Sequence, residues 1–386
     1  MVGLGVQTAS LAESILESGQ GDFIALAKQE IADCNWPNKV KNNQEDDIRP
    51  CIKCLVGCTD NGIIGHHPIR CAVNPTVYKY YEDKYPQAKV VKNVAVIGAG
   101  PAGMEAALTL VKRGHKVTVY EKRKIGGTLH EASSADYKKD IKLFINYYEK
   151  QAQKYHLNII QEEATYDTIV NGGYDACIIA TGGKPRILDV NGLETGKVTY
   201  ALNYLNGEVK FDGENALVIG GGITGAEVAV ELAKEGKKVT IIEVMDQFLA
   251  LPSAVIPAYQ MAVEQAGVKV ITGHRLDYVD HDQAIIVDRF GNKKELKADG
   301  GIVISAGFMP QLELQEKLEE ERKFGYLRWA VKQLPSCKRE ICLLKIYRGL
   351  NNQEIADELN IPINTVKCYY TQSLKLLKYY LRNHVE

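Results

Sequence analysis

Two glycine turns, 122 residues apart, constrain this 386-residue chain more than any other feature. The first lies in KNVAVIGAGPAGMEAALTLVKRG, followed by KVTVYE. The second lies in NALVIGGGITGAEVAVELAKEG, followed by KKVTIIE. Each passes from a Val/Ile-rich strand through G-x-G-x-x-G into a helix, then into a second strand. In the first, Gly98 permits the tight turn and Gly100 lets the backbone approach a pyrophosphate. Gly103 allows close helix–strand packing, and the free N–H groups of the helix start, with Ala102 in its first turn, face the phosphates. Glu121 follows 18 residues after Gly103, at the end of the next strand, where a carboxylate takes ribose hydroxyls. Gly220, Gly222 and Gly225 repeat the pattern, again with Glu243 18 residues on. The period is too long for a solenoid and right for two nucleotide-binding units. Glycines serving packing alone are the other reading, and the acidic partner after each turn speaks against it.

Two such units imply two dinucleotides in an α/β chain with two Rossmann-like halves, the layout of a flavin disulfide-reductase-like fold. FAD is expected in residues 91–200 and NAD(P)H in residues 201–311. Glu243 opposes a 2′-phosphate by like charge, which favours NADH, although Lys237 and Lys238 just before that strand leave NADPH open. Apolar residues make up 45% and charged residues 25%, which excludes wholesale disorder. No apolar run reaches the ~20 residues of a membrane span. The start, MVGLGVQTASLAE, lacks a basic segment followed by an apolar one, so a cytoplasmic protein without membrane contact is expected. Residues 1–48 read as helix, strand (DFIALA) and helix. After Gly307 the α/β alternation stops and residues 312–386 read as helical, with 312–326 a charged linker.

Cys51, Cys54, Cys58 and Cys71 follow C-x2-C-x3-C-x12-C within residues 49–90. Three thiolates on one tight loop and a fourth from a returning segment suit a [4Fe–4S] cube, whose irons each need one Cys. Four cysteines also make a zinc site, usually as two CxxC knuckles, and here the third spacing is wider and the fourth cysteine stands alone. His66 and His67 read as solvated loop residues, since four thiolates complete the site.

The cluster just upstream of an FAD unit resembles the iron–sulfur flavoenzymes of the old yellow enzyme class, such as 2,4-dienoyl-CoA reductase, trimethylamine dehydrogenase and bile-acid enoate reductases. The resemblance covers roughly residues 1–311. It is carried by GDFIALAKQEIADCNWPNK, DDIRPCIKCLVGC…IRCAVNP, VIGAGPAGMEAA with YEKRKIGGTL, ACIIATGG, VIGGGITGAEVA and VISAGFMP. It implies that Gly127, Thr181 and Gly182 also hold FAD, and that a nicotinamide reduces FAD, which passes electrons singly through the cluster to an FMN. That FMN would sit in an N-terminal (β/α)8 barrel where enoates or amines react. A barrel needs ~250 residues, and only 48 precede the cluster segment at residue 49. Residues 1–48 thus resemble a C-terminal barrel remnant, with Gly5 and Lys28 (usually Arg) as FMN-phosphate contacts; a partner would have to supply the rest. The family also continues past VISAGFMP to a segment completing the FAD site, and Thr128 stands where Gln is common. No catalytic residue is therefore assigned.

Residues 322–386 carry 12 Lys and Arg against 5 Asp and Glu, net +7, leaving −8 for the remainder. Such asymmetry predicts a basic module on a mildly acidic body. Asn351 with Glu354 makes an N-cap and N3 pair opening a helix through Leu359. Asn360-Ile361-Pro362 makes a turn, and Thr365-Val366-Lys367 opens a longer helix. Ile355, Ala356, Leu359, Ile361 and Val366 are spaced to be buried between two crossed helices. This is a helix-turn-helix pattern over 327–386, which would present Asn364, Thr365, Lys367 and Thr371 to a major groove. It resembles region 4 of sigma-70 factors, with LuxR-type regulators as the nearest alternative, and implies promoter DNA and RNA polymerase as partners; a three-helix packing module with a basic face is the plainer reading. Cys337, Cys342 and Cys368 read as small core residues. Three overall readings follow: an NADH-dependent flavin/iron–sulfur oxidoreductase, a redox-responsive DNA-binding regulator, or a non-functional junction of two genes.

Overall fold

The computed structural model describes residues 1–3, 5–77 and 85–384, divided into two compact units, Met1–Gln311 and Leu312–Glu386. The larger unit is built on two parallel sheets. The first runs Asn158–Ile160, Lys116–Tyr120, Asn93–Ile97, Ala176–Ile179. Parallel strands need crossovers, and crossovers cover both faces, so the central strand reads as an unbroken apolar run. Ala95 and Val96 in it are fully buried. Helix Pro101–Lys112 packs Met104, Ala107 and Leu108 into this core, and helix Asp140–Lys154 adds Phe144, Tyr147 and Tyr148.

The second sheet repeats the plan in the order Val198–Tyr200, Ile302–Ile304, Asn215–Ile219, Lys238–Ile242, Lys269–Ile271, with helix Ile223–Lys234 packed on it. An antiparallel sheet of His274–Asp280, Gln283–Asp288 and Lys293–Lys297 follows, which the first half lacks.

Several expectations need correction here. Val198–Tyr200, assigned by sequence to the FAD half, pairs with Ile302–Ile304 and belongs to the second sheet. The α/β pattern does not stop at Gly307: Phe308–Pro310 pairs antiparallel with Gly183–Pro185, returning the chain to the first half. DFIALA forms no strand. Its backbone makes one parallel bridge, Val2 to Ile24, and a β-ladder needs a partner along its length. Around it lie helices Ala9–Glu17, Lys28–Ala32 and Trp36–Lys41, with Val6, Ala12, Ile15 and Trp36 as a small core. The cysteine segment is more ordered than a loop, because Val56–Ile64 forms a π-helix. Residues 78–84, within the span 49–90, lie outside the described residues.

The smaller unit comprises helices Glu313–Lys332, Ser336–Tyr347, Asn352–Leu359 and Ile363–His384. The expected linker, 312–326, is the first part of an uninterrupted helix ending at Lys332. Ile341, Leu344, Ile355, Ala356 and Val366 form the core between the later helices, with Leu359 and Ile361 packed against it. Cys342 is fully buried as expected, but Cys337 and Cys368 are exposed and contribute nothing to the core. Among the described residues no helix is long and apolar enough to cross a membrane.

Candidate functional site

The two glycine turns are near copies in three dimensions. Gly98 and Gly220 adopt φ of +100° and +110°, a region open mainly to glycine. A Cβ on Gly98 would lie 2.4 Å from the Ala180 carbonyl oxygen, and one on Gly220 2.3 Å from that of Ser305. Gly103 and Gly225 bring each helix so close to its strand that a Cβ would sit 1.8 and 1.9 Å from the Gly98 and Gly220 oxygens. Gly100 and Gly222 cap the two helices, and no side chain of theirs or of a neighbour blocks the helix start. Ala102 is exposed in the first turn of its helix. Free N–H groups at both helix starts are thus open to an anion.

The acidic partners are matched as well. The Glu121 carboxylate accepts from the amides of Ala99 and Arg123, both at 2.7 Å. Glu243 accepts from Gly221 at 2.6 Å and Met245 at 2.8 Å. Each carboxylate is therefore held against its own glycine turn, where a bound nucleotide's ribose would lie. Gly127 packs on Gly100, and Gly126 donates to the Ala99 carbonyl at 2.8 Å. Thr181 donates through its hydroxyl to the Gln311 carbonyl at 2.8 Å, and the Gln311 amide donates to Gly182 at 3.0 Å. The residues around the first turn that the family resemblance singled out are thus gathered on it, closed by the strand Phe308–Pro310.

Lys237 and Lys238 are committed elsewhere. Lys237 donates to the carbonyls of Phe211 and Gly213, and Lys238 pairs with Glu214 at 2.6 Å. They stand at the start of strand Lys238–Ile242, while Glu243 follows its end. Five residues at about 3.3 Å each separate them by roughly 16 Å.

Cys51, Cys54, Cys58 and Cys71 all line one narrow cavity, together with Lys28, Ile31 and Val73. Three local devices bring them there. Lys53 and Leu55 adopt left-handed φ of 54° and 60°, which coils the loop so that the Lys53 amide donates to Cys51 Sγ at 3.4 Å. The π-helix then carries Cys58. Gly57 lets the returning segment pass: a Cβ there would be 2.4 Å from the Arg70 carbonyl oxygen, and the Arg70 amide donates to the Gly57 carbonyl at 2.9 Å. Burial pushes the Cys51 and Cys54 thiols up, and the neighbouring thiols raise them further. Four half-buried thiols gathered on one cavity suit a cationic centre, whose charge offsets that of the thiolates. Among the described residues, no three His, Cys, Asp or Glu side chains are placed to hold a single metal ion. His66 and His67 are exposed, as expected. Gly5 is exposed at φ +96°, while Lys28, expected at an FMN phosphate, is placed with the cysteines.

Several supporting residues take roles that only the folded chain reveals. Gln29 is buried and bridges two segments, donating to the Arg49 carbonyl and accepting from the Cys51 amide, both at 2.9 Å. Arg49, also buried, holds both oxygens of Glu105 on the first nucleotide helix at 2.9 and 3.2 Å and lies 5.0 Å from the Tyr147 ring centre. On the other side, Asp60 of the π-helix accepts from the Ser253 hydroxyl at 2.5 Å and the Ala254 amide at 2.8 Å. Five residues on, Tyr259 donates to buried Glu227 at 2.5 Å, and Glu227 pairs with Lys138 of the first half. The cysteine loop, first half and second half are thus pinned through residues 253–259.

In the smaller unit the expected capping box is present. Asn351 accepts from Gln353 and Glu354 at 2.9 and 3.1 Å, while Glu354 accepts from the Asn351 amide at 2.6 Å. Asn360 ends that helix at φ 51°. Asn364, Lys367 and Thr371 are exposed at helical spacing on one face, Thr365 is half-buried, and the Thr371 hydroxyl donates to the Lys367 carbonyl at 2.9 Å.

Comparison with known proteins agrees with this geometry. The NADH oxidase of Thermoanaerobacter brockii is 35% identical over 327 residues, covering 82% of this chain and 50% of that protein. The cinnamate reductase of Clostridium sporogenes is 30% identical over 318 residues, covering 81% and 47%. A solved 2-naphthoyl-CoA reductase in complex with 2-naphthoyl-CoA matches with a TM-score of 0.74 at 29% identity, over 80% of this chain and 47% of its own. The chain therefore spans about half the length of the relatives it matches. Residues 92–328 match the family described as pyridine nucleotide-disulphide oxidoreductase. With both glycine turns, both acidic partners and both parallel sheets inside that match, the chain belongs to the pyridine nucleotide-disulphide oxidoreductase family.

Proposed function

We propose that residues 1–311 form an NADH-dependent electron-transfer unit, in which NADH gives hydride to FAD and electrons leave singly through a [4Fe–4S] cluster. The observation that carries this reading is the convergence of four cysteines on one cavity pinned to both halves of a duplicated nucleotide fold. A cluster supplies one-electron exchange, which a flavin can feed after a two-electron step. A single zinc ion with Zn–S near 2.3 Å would draw its sulfurs to within about 3.8 Å of one another. The C-x2-C-x3-C-x12-C spacing, unlike the paired CxxC knuckles usual for zinc, favours the larger cube.

In this reading Cys51, Cys54, Cys58 and Cys71 hold the cluster. Gly98, Gly100, Gly103, Glu121, Gly127, Thr181 and Gly182 hold FAD, and Gly220, Gly222, Gly225 and Glu243 hold NADH. NADH is preferred over NADPH because Glu243 repels a 2′-phosphate and both nearby lysines are engaged at the far end of the strand. Substrate chemistry is assigned to a partner bearing FMN, acting on enoates, as the name of the cinnamate reductase suggests, or on amines, as the family resemblance implies. Anaerobic purification with iron, sulfide and flavin assays tests the reading: about four irons per chain support it, and stoichiometric zinc without iron overturns it.

For the smaller unit we propose duplex DNA binding through helix Ile363–His384, of the kind a sigma-70 region 4 makes. The capping box, the left-handed Asn360 and the exposed Asn364, Lys367 and Thr371 support it. A salt-dependent shift of promoter DNA that is lost in Lys367→Glu is expected; equal binding by the variant rejects it. The helix Glu313–Lys332 continues through the expected junction, and the family match also reaches residue 328. A peptide spanning residues 305–330 in a lysate tells a real fusion from a joining of unrelated genes.

A further inference from the structure

Lys28 opens the helix Lys28–Ala32, and its half-buried side chain lines the same cavity as the four thiols. The other lysine on that cavity, Lys53, is exposed and paired with Asp140 at 3.1 Å. No described carboxylate lies within ion-pair distance of Lys28. Lys28 therefore brings to the cavity wall a charge that no described carboxylate neutralises.

We propose that Lys28 sets the reduction potential of the cluster held by Cys51, Cys54, Cys58 and Cys71. This rests on the iron–sulfur reading and adds to it the residue that decides how readily the centre accepts an electron. Four thiolates place four negative charges around the cavity. Each electron accepted, from reduced flavin in the protein or from a chemical reductant in the assay, adds one more and makes or breaks no bond. A fixed cation at the wall stabilises the reduced form more than the oxidised form, and burial limits the screening that water would provide. Net charge and solvent exposure are among the main determinants of iron–sulfur potentials. A lysine committed to an anionic ligand elsewhere would leave the potential untouched.

The test is a mediated redox titration of the reconstituted full chain, read by visible absorption and by the signal of the reduced cluster, in wild type, Lys28→Gln, Lys28→Met, Lys28→Arg and Lys53→Gln. The neutral variants are expected to keep their iron and to show about a tenfold lower reduced-to-oxidised ratio at a fixed potential, equivalent to about 59 mV for one electron. Lys28→Arg should stay near wild type, and Lys53→Gln should move far less. Unchanged potentials in Lys28→Gln and Lys28→Met overturn the proposal while leaving the cluster in place. Loss of iron in both overturns it too, by assigning Lys28 to holding the cluster. An iron-free wild type rejects the underlying iron–sulfur reading itself.

Discussion

The two nucleotide halves share a glycine turn, a helix and an acidic partner down to matching hydrogen bonds, yet they are fastened to the cysteine loop in different ways. The first half is bound tightly: Arg49 with Glu105 and Lys53 with Asp140, and, from the segment just before the loop, Asp46 with Lys150 and Asp47 with Lys154. Part of the cysteine loop, Cys51, Ile52, Cys71 and Val73, shares its core. The second half touches the loop through Asp60 alone of the polar contacts described above, and it carries the additional antiparallel sheet. Duplication thus supplied two equivalent cradles, and what surrounds each decides its use. In the proposed reading, the half sharing a core with the cysteines takes the resident flavin, and the half with fewer contacts to the loop takes a nicotinamide that must come and go.

The largest expected effect is at the cysteine cavity. Cys54→Ser, or Gly57→Ala, which drives a Cβ into the Arg70 carbonyl, should abolish iron incorporation while both nucleotide halves stay folded. Iron assays beside circular dichroism would show it, and retained iron in Gly57→Ala would mean that the close approach is not needed. Next comes the buried ion pair. Arg49→Met leaves Glu105 without its partner and should cost about 3–5 kcal/mol in denaturant unfolding. The equivalent change in the looser contact, Asp60→Asn, should cost under about 1 kcal/mol, as expected of a more exposed contact; equal losses would erase the asymmetry between the halves.

The Glu243→Gln variant should weaken NADH binding by roughly 1.5–3 kcal/mol, ten- to a hundred-fold, and narrow the preference over NADPH. Glu121→Gln should leave that preference alone and reduce flavin retention. A change of nicotinamide preference in Glu121→Gln would reverse the assignment of the two cradles. Asn351→Ala, which removes a helix cap, is expected to have a similarly small effect of about 1 kcal/mol. It should lower the melting of the small unit without altering flavin or iron content.

Much of this was legible in the residues. Both glycine turns and their glutamates follow from local sterics, since a positive φ and a helix pressed on a strand leave room for nothing else. The capping box and the core of Ile355, Ala356 and Val366 were equally local. What was hidden depends on distant partners. Nothing in DFIALA says that it will find only Val2 to pair with, and nothing in FMP says that it will cross to Gly183–Pro185. Gly57 lies between the cluster cysteines with no role readable from spacing; its need arises only when Arg70 folds back over it. Arg49 and Gln29 look like ordinary polar residues until burial leaves them no water. Lys28 fits a phosphate contact by resemblance, and only the folded chain places it at the wall of the cysteine cavity.

The most direct test of the account is to reconstitute the chain without oxygen, count iron, sulfide and flavin, and then add NADH while following the visible spectrum. Electron flow from NADH through flavin to the cysteine cavity requires about four irons and four sulfides with one flavin per chain, and bleaching of both flavin and cluster absorption by NADH. A colourless, iron-free protein, or one whose iron absorption NADH leaves unchanged while the flavin bleaches, would contradict it.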